Sequence, residues 1–284
     1  MSGKNKNNKH SSELTAKSIF DQFAKNKSAA LVAAVATLGM FNAHAEGPAV
    51  SELNAKVEGV GGFIDGEGTG IGAVSVAVPV VHSFGAQIDG MGGTTDGDSL
   101  VGYGAHLFWR NAEKGLLGGT VARSGRSGSF VNRYGAEGEY YLDQWTLGAT
   151  GGSQTGFLGG TWYGSLVAKY YITDNLMIDV SGQGFSDSRV GQIGLEWQPQ
   201  TMIDGLSFFA VGGAGSDDLD YGMVGVKWYF GGSDKSLKLR HREDDPINSL
   251  IGAASGLNNA IVQEEASRKA AGTTAAAVLR QVSS

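Results

Sequence analysis

From about residue 52 to 231, apolar and polar side chains alternate in one segment after another, each roughly 10–13 residues long. Val101, Tyr103, Ala105, Leu107 and Trp109 share one parity; Gly102, Gly104, His106, Phe108 and Arg110 share the other. Tyr134, Ala136, Gly138, Tyr140 and Leu142 oppose Arg133, Gly135, Glu137 and Glu139. Trp162, Leu166, Ala168 and Tyr170 oppose Ser165 and Lys169, and Ile193, Leu195 and Trp197 oppose Gln192 and Glu196. A β-strand sends successive side chains to opposite faces, so each segment reads as a strand with one apolar and one polar face. Strands are expected near 53–65, 69–79, 82–93, 98–110, 115–124, 129–142, 145–154, 160–172, 175–186, 188–198, 203–214 and 219–230. The segments at 115–124 and 203–214 alternate poorly, and their faces stay unassigned.

Alternation alone also fits a soluble sandwich or barrel, whose apolar face points inward. The aromatics separate the two. Trp109, Tyr140, Tyr170, Trp197 and Trp228 lie on the apolar faces of alternate strands, each at the strand's C-terminal end, and Trp145 starts its strand at the same rim. A ring of aromatics at one height is what a membrane interface favours, whereas a core spreads them through its depth. The expected fold class is therefore all-β: a transmembrane antiparallel up-and-down β-barrel of about twelve strands, with about ten to fourteen as the range. A soluble secreted β-protein is the alternative. After residue 45 no apolar stretch reaches 18 residues, so insertion would be by strands rather than helices. The 46 glycines, roughly 16% of the chain against a usual ~7%, sit among aromatic and β-branched residues and suit twisted or bulged strands.

Residues 1–45 read as a signal peptide. Lys4, Lys6, Lys9, Lys17, Lys25 and Lys27 form a basic leader, Ala29 to Phe41 is uncharged and mostly apolar, and Ala43-His44-Ala45 offers small residues for cleavage. Six lysines and two acids leave with it, taking the net charge from −6 to −10, which excludes the basic character of a nucleic-acid binder. Residues 46–231 form the barrel. Residues 232–284 form a partly helical C-terminal tail on the periplasmic side. It opens with the basic patch Lys235, Lys238, Arg240, His241 and Arg242, then Glu243-Asp244-Asp245-Pro246, and Ile247, Leu250, Ile251, Leu257 and Ile261 recur at near-helical spacing. Plugging the lumen, contacting peptidoglycan and forming no fixed structure are the readings left open for it.

The signal, the alternating strands, the aromatic ring and the closing Tyr229-Phe230 together resemble the small-porin class of Gram-negative outer-membrane barrels. In that class a terminal aromatic serves barrel assembly; here about fifty residues follow it. The resemblance implies the cell outer membrane as location, reached by export through the inner membrane. It also implies outer-membrane lipids as partners and, for a pore, small solutes or ions. A homo-oligomer and a contact of the tail with periplasmic components are left open. No cofactor and no metal site is expected.

Parity turns Lys56, Glu58, His106, Arg110, Arg133, Glu137, Glu139, Lys169, Asp179, Glu196 and Lys227 toward the lumen, and these are the candidate selectivity residues. Twelve strands lie between the filled eight-strand barrel and the open sixteen-strand channel, so both a narrow pore and a paired, packed interior are expected outcomes. The outer-membrane phospholipases place serine and histidine on the lipid face near the outer rim. His106 faces inward and His82 lies near the opposite rim, so no enzyme is expected. The Asp96/Asp98 and Asp217/Asp218/Asp220 clusters lack a calcium-loop pattern, and Gly66, Gly68, Gly70 and Gly72 do not open a helix. The leading expectation is a passive diffusion channel with a mixed-charge lumen, against a structural or surface-interaction barrel with a closed interior.

Overall fold

A computed structural model of the chain describes residues 47–185, 188–200, 202–216, 218–232, 234–246 and 261. The expected signal peptide lies outside the described residues, as does the tail beyond 246 apart from Ile261. Twelve strands follow one another: β1 Asn54–Ile64, β2 Glu67–Val81, β3 Phe84–Thr95, β4 Asp98–Asn111, β5 Gly115–Arg126, β6 Ser129–Leu142, β7 Trp145–Gly156, β8 Thr161–Thr173, β9 Leu176–Phe185, β10 Ser188–Trp197, β11 Leu206–Gly215 and β12 Asp220–Phe230. A short helix, α1 Leu237–Glu243, comes after them. Every expected strand is present, with ends within three residues of the sequence reading.

Each strand pairs antiparallel with the next. β1 closes the ring against β12, Ala55 opposite Phe230 and Ile64 opposite Tyr221, so the barrel leaves no sheet edge to template aggregation. The two strands that alternate poorly are now placed. Leu116, Thr120 and Ser124 of β5 and Ser207 of β11 are buried inside the barrel.

The chain enters and leaves the barrel at one rim, here the terminal rim; the other is the distal rim. The distal turns are short. Asp65-Gly66 and Asp96-Gly97 each join two strands with positive φ at both residues, the geometry whose twist matches paired strands. No described distal connection is longer than the four residues between β7 and β8. Outer-membrane barrels commonly carry longer loops on one side. This one has none among the described residues to fold back over its mouth.

The outer surface is an apolar belt. Leu166 is 68% exposed, Val224 67%, Ile88 63% and Ile193 62%, and all lie on the face turned away from the lumen. A contiguous exposed band of this kind is foreign to a water-soluble monomer and natural against lipid. Leu166 sits at the middle of β8. Leu166→Arg should therefore cost about 2–4 kcal/mol in urea titrations of protein folded into lipid vesicles. A loss under ~0.5 kcal/mol, ordinary for a water-exposed position, would count against membrane burial.

Part of the interior is filled by side chains. Val60, Ile64, Ile71, Met91, Leu100 and Met223 pack with Tyr221 and Val190 into an apolar cluster inside the distal half.

Candidate functional site

The inward face of the terminal half is ionic. Lys56 on β1 pairs with Glu58 at 3.0 Å, two positions along the same face. Lys227 on β12 reaches Glu196 on β10 at 2.7 Å, and Ser207 donates to the same carboxylate at 2.7 Å. Deeper in, the imidazole of His106 lies between two acids, with Nδ1 2.9 Å from Glu137 and Nε2 3.0 Å from Asp89. Tyr141 donates to Glu139 at 2.7 Å. Such pairing is what burial demands, since an isolated charge would suffer the full cost of desolvation.

Of the eleven residues that parity turns inward, Lys56, Glu58, His106, Arg110, Arg133, Glu137, Glu139 and Glu196 are buried, while Lys169, Asp179 and Lys227 are partly so. The aromatic set faces the other way. Tyr140, Trp145, Trp197 and Trp228 are each 44–47% exposed, Trp109 and Tyr170 are half-buried, and Trp145 packs on Tyr170 with ring centroids 4.7 Å apart. His82 falls in the β2–β3 turn at the terminal rim.

The sequence left open whether the tail plugs the lumen and named no residue that would seat it at the terminal mouth. α1 lies across it. Ser236 caps the helix by accepting from the Leu239 N–H, and Arg240 and Arg242 flank His241 in the last turn, where their two cations suit the helix dipole. The helix is tied to three different turns. Lys238 pairs with Asp174 at 2.6 Å, Arg240 with Asp204 at 3.1 Å, and Arg242 donates to the carbonyls of Asp143 and Trp145, both at 2.8 Å. Leu237 is fully buried against Tyr171, Met177 and Tyr229. Just past the helix, Asp245 enters the ion-pair row and sits 2.9 Å from Lys56.

His241 points into the lumen between two tyrosines. Its Nδ1 is 3.0 Å from the Tyr171 hydroxyl and its Nε2 3.1 Å from that of Tyr229. The Tyr229 hydroxyl donates to Glu196, so its oxygen accepts from Nε2–H. That leaves Nδ1 to accept from Tyr171. The assignment is a neutral imidazole in one tautomer, inferred from the network.

The other half of the mouth is covered from the N-terminal side. Ala49 and Val50 pack on Ala77, Phe108 and Leu116, and Arg110 donates to the Ala49 carbonyl at 3.2 Å. The two covers are joined, because Ser51 donates to Asp244 at 2.7 Å and Lys235 binds the same carboxylate at 2.8 Å. Behind them is a cavity of about 220 Å³, lined among others by Arg133, Tyr163, Lys169, Asp179, Gln192 and Lys227. That is smaller than the ~300 Å³ at which pockets for drug-sized molecules begin. Toward the distal rim, Ile261 is fully buried against Val131, with Phe157 and Leu158 beside it.

No family model and no curated protein matches the chain. Solved structures do. The KdgM porin aligns with a TM-score of 0.51 at 9% identity, over 62% of this chain and 99% of that one. The NanC porin gives 0.48 at 8% identity, over 62% and 100%. The Acinetobacter baumannii outer membrane protein Omp33 gives 0.45 at 10% identity, over 63% and 99%. At such identities the likeness is one of fold. The chain has the fold of the small-porin class of outer-membrane barrels, closed from twelve strands.

Proposed function

We propose that the chain is an outer-membrane, porin-like channel for small solutes or ions, and that the conformation described is its closed form. The observation that supports this most is the separateness of the stopper. The barrel wall is complete without α1, and the helix reaches it through turns and a row of ion pairs. In the open form the lining would carry both signs: Lys56, Glu58, Glu196 and Lys227, now paired with one another, Lys169 and Asp179 on the cavity wall, and Glu137 beside His106. The aromatic ring of Trp109, Tyr140, Trp145, Tyr170, Trp197 and Trp228 would anchor the terminal rim at the lipid interface.

Planar bilayer recording tests the reading. With α1 removed, stepwise currents are expected, and neutralising Lys169 or Glu137 in that shortened chain should shift the cation-to-anion permeability ratio in opposite directions, each by about twofold or more. A second reading, a structural barrel with a permanently closed interior, draws on the paired charges and the apolar cluster. A correctly folded barrel that stays electrically silent even without α1 would select it. The surface-interaction version has little to draw on, because the distal turns are short.

A further inference from the structure

We propose that α1 is a proton-released latch, with His241 as the group that takes the proton and frees the terminal mouth. The geometry carries the argument. The imidazole is buried and holds the helix to two strands at once, accepting from Tyr171 on β8 and donating to Tyr229 on β12. A second proton would have to sit on Nδ1, which now accepts, so the Tyr171 hydroxyl would have to turn its own hydrogen away and accept instead, with a full charge placed on a buried ring.

The charged groups that face this ring sharpen the conflict. From β8 comes Lys169 along with Tyr171; from β12, Lys227 along with Tyr229; from β1, Lys56. Opposing them are Glu196 of β10, whose Oε2 is 3.7 Å from Nε2, and Asp245 just past the helix. Each acid is already matched, Glu196 by Lys227 and Asp245 by Lys56. Burial first, then Lys169 and Lys227, hold the His241 imidazole well below its ordinary range.

The sign follows. A histidine depressed in the docked state binds fewer protons there than when released. Its contribution to docking is complete above the free value of about 6.5 and is lost as pH falls below it. Each unit below about 6.5 then raises the released-to-docked ratio by up to about tenfold. Asp245 acts at a lower pH. Burial alone would raise its carboxyl, but the Lys56 ammonium more than reverses this and holds it below the usual carboxylate range. Its loss belongs below about pH 4 and leaves the pH 5–7 window to His241.

The latch can be tested apart from conductance. The chain has no cysteine, so Leu237→Cys places a single thiol under the docked helix, where the native side chain is fully buried. In full-length protein folded into lipid vesicles, its rate of reaction with 4,4′-dithiodipyridine, divided at each pH by that of a free model thiol, should rise by about fivefold between pH 6.5 and 5.5. Thiolate chemistry alone would leave that quotient flat. Adding His241→Gln should abolish the acceleration. Amide exchange of residues 237–244 in the unsubstituted chain, corrected for intrinsic rates, should rise over the same window. Flat labelling and exchange from pH 7.5 to 5, or an unchanged rise in the His241→Gln variant, would overturn the latch. The gating consequence rests on the channel reading. Acid-dependent labelling in a barrel that never conducts would uphold the latch and defeat the channel.

Discussion

Ending the chain at Gly232 should turn a nearly silent barrel into a conducting one at neutral pH, with at least a tenfold rise in mean current per inserted protein. The deletion removes α1 with Arg240, His241 and Asp245, which bind the mouth through Asp204, the two tyrosines and Lys56. It leaves intact the β1–β12 pairing that closes the wall. Over the half of the mouth that α1 covers, the exposed lining would be charges and hydroxyls that water can solvate, while Ala49 and Val50 stay packed over the other half. Twelve strands give a bore between that of a filled and an open barrel. An unchanged current from a barrel that still resists urea as the full chain does would mean that the strands' own side chains, or the Ala49–Val50 cover, block the way.

Lys56→Met should be the most damaging single change at the mouth. The ammonium serves Glu58 and Asp245 together, and all three side chains are at most 13% exposed. Removing it strands two carboxylates, and among the described residues Lys227, 4.0 Å from Glu58, is the cation left in ion-pair reach of either. Breaking a buried pair from one side costs about 3–5 kcal/mol, far more than the pair itself contributes. The loss should appear in urea titrations in vesicles. Asp245→Asn in the same chain should recover part of it, since one of the stranded charges is gone. A cost below ~1 kcal/mol would show that water already reaches this row.

The barrel was legible because a half-buried strand writes its two faces directly into the sequence. Val101 to Arg110 gives the register of β4 residue by residue, and the same rule turns Glu137 inward and Tyr140 outward. β11 was obscure because Phe208 and Phe209 adjoin and two glycines follow, so neither face stands out. Asp89 escaped notice for a related reason: it sits in the glycine-broken β3, and only the register to β4 brings it beside His106. The sequence left a plug as one of three readings of the tail and could not choose among them. The tail's helix could be suspected from its composition. Its docking partners, Tyr171, Asp174, Asp204 and Tyr229, come from turns and strands scattered along the barrel, and no local pattern encodes them. His241 therefore read as one more residue of a basic patch.

β12 ends at Phe230 and α1 begins at Leu237, so only six residues link the stopper to the wall it seals. A tether that short keeps a displaced helix near its seat at an effective concentration on the order of millimolar. Rebinding is thus a local event that needs no diffusing partner, and the barrel would flicker between states instead of staying open. How often it conducts would be set by proton supply at the terminal rim.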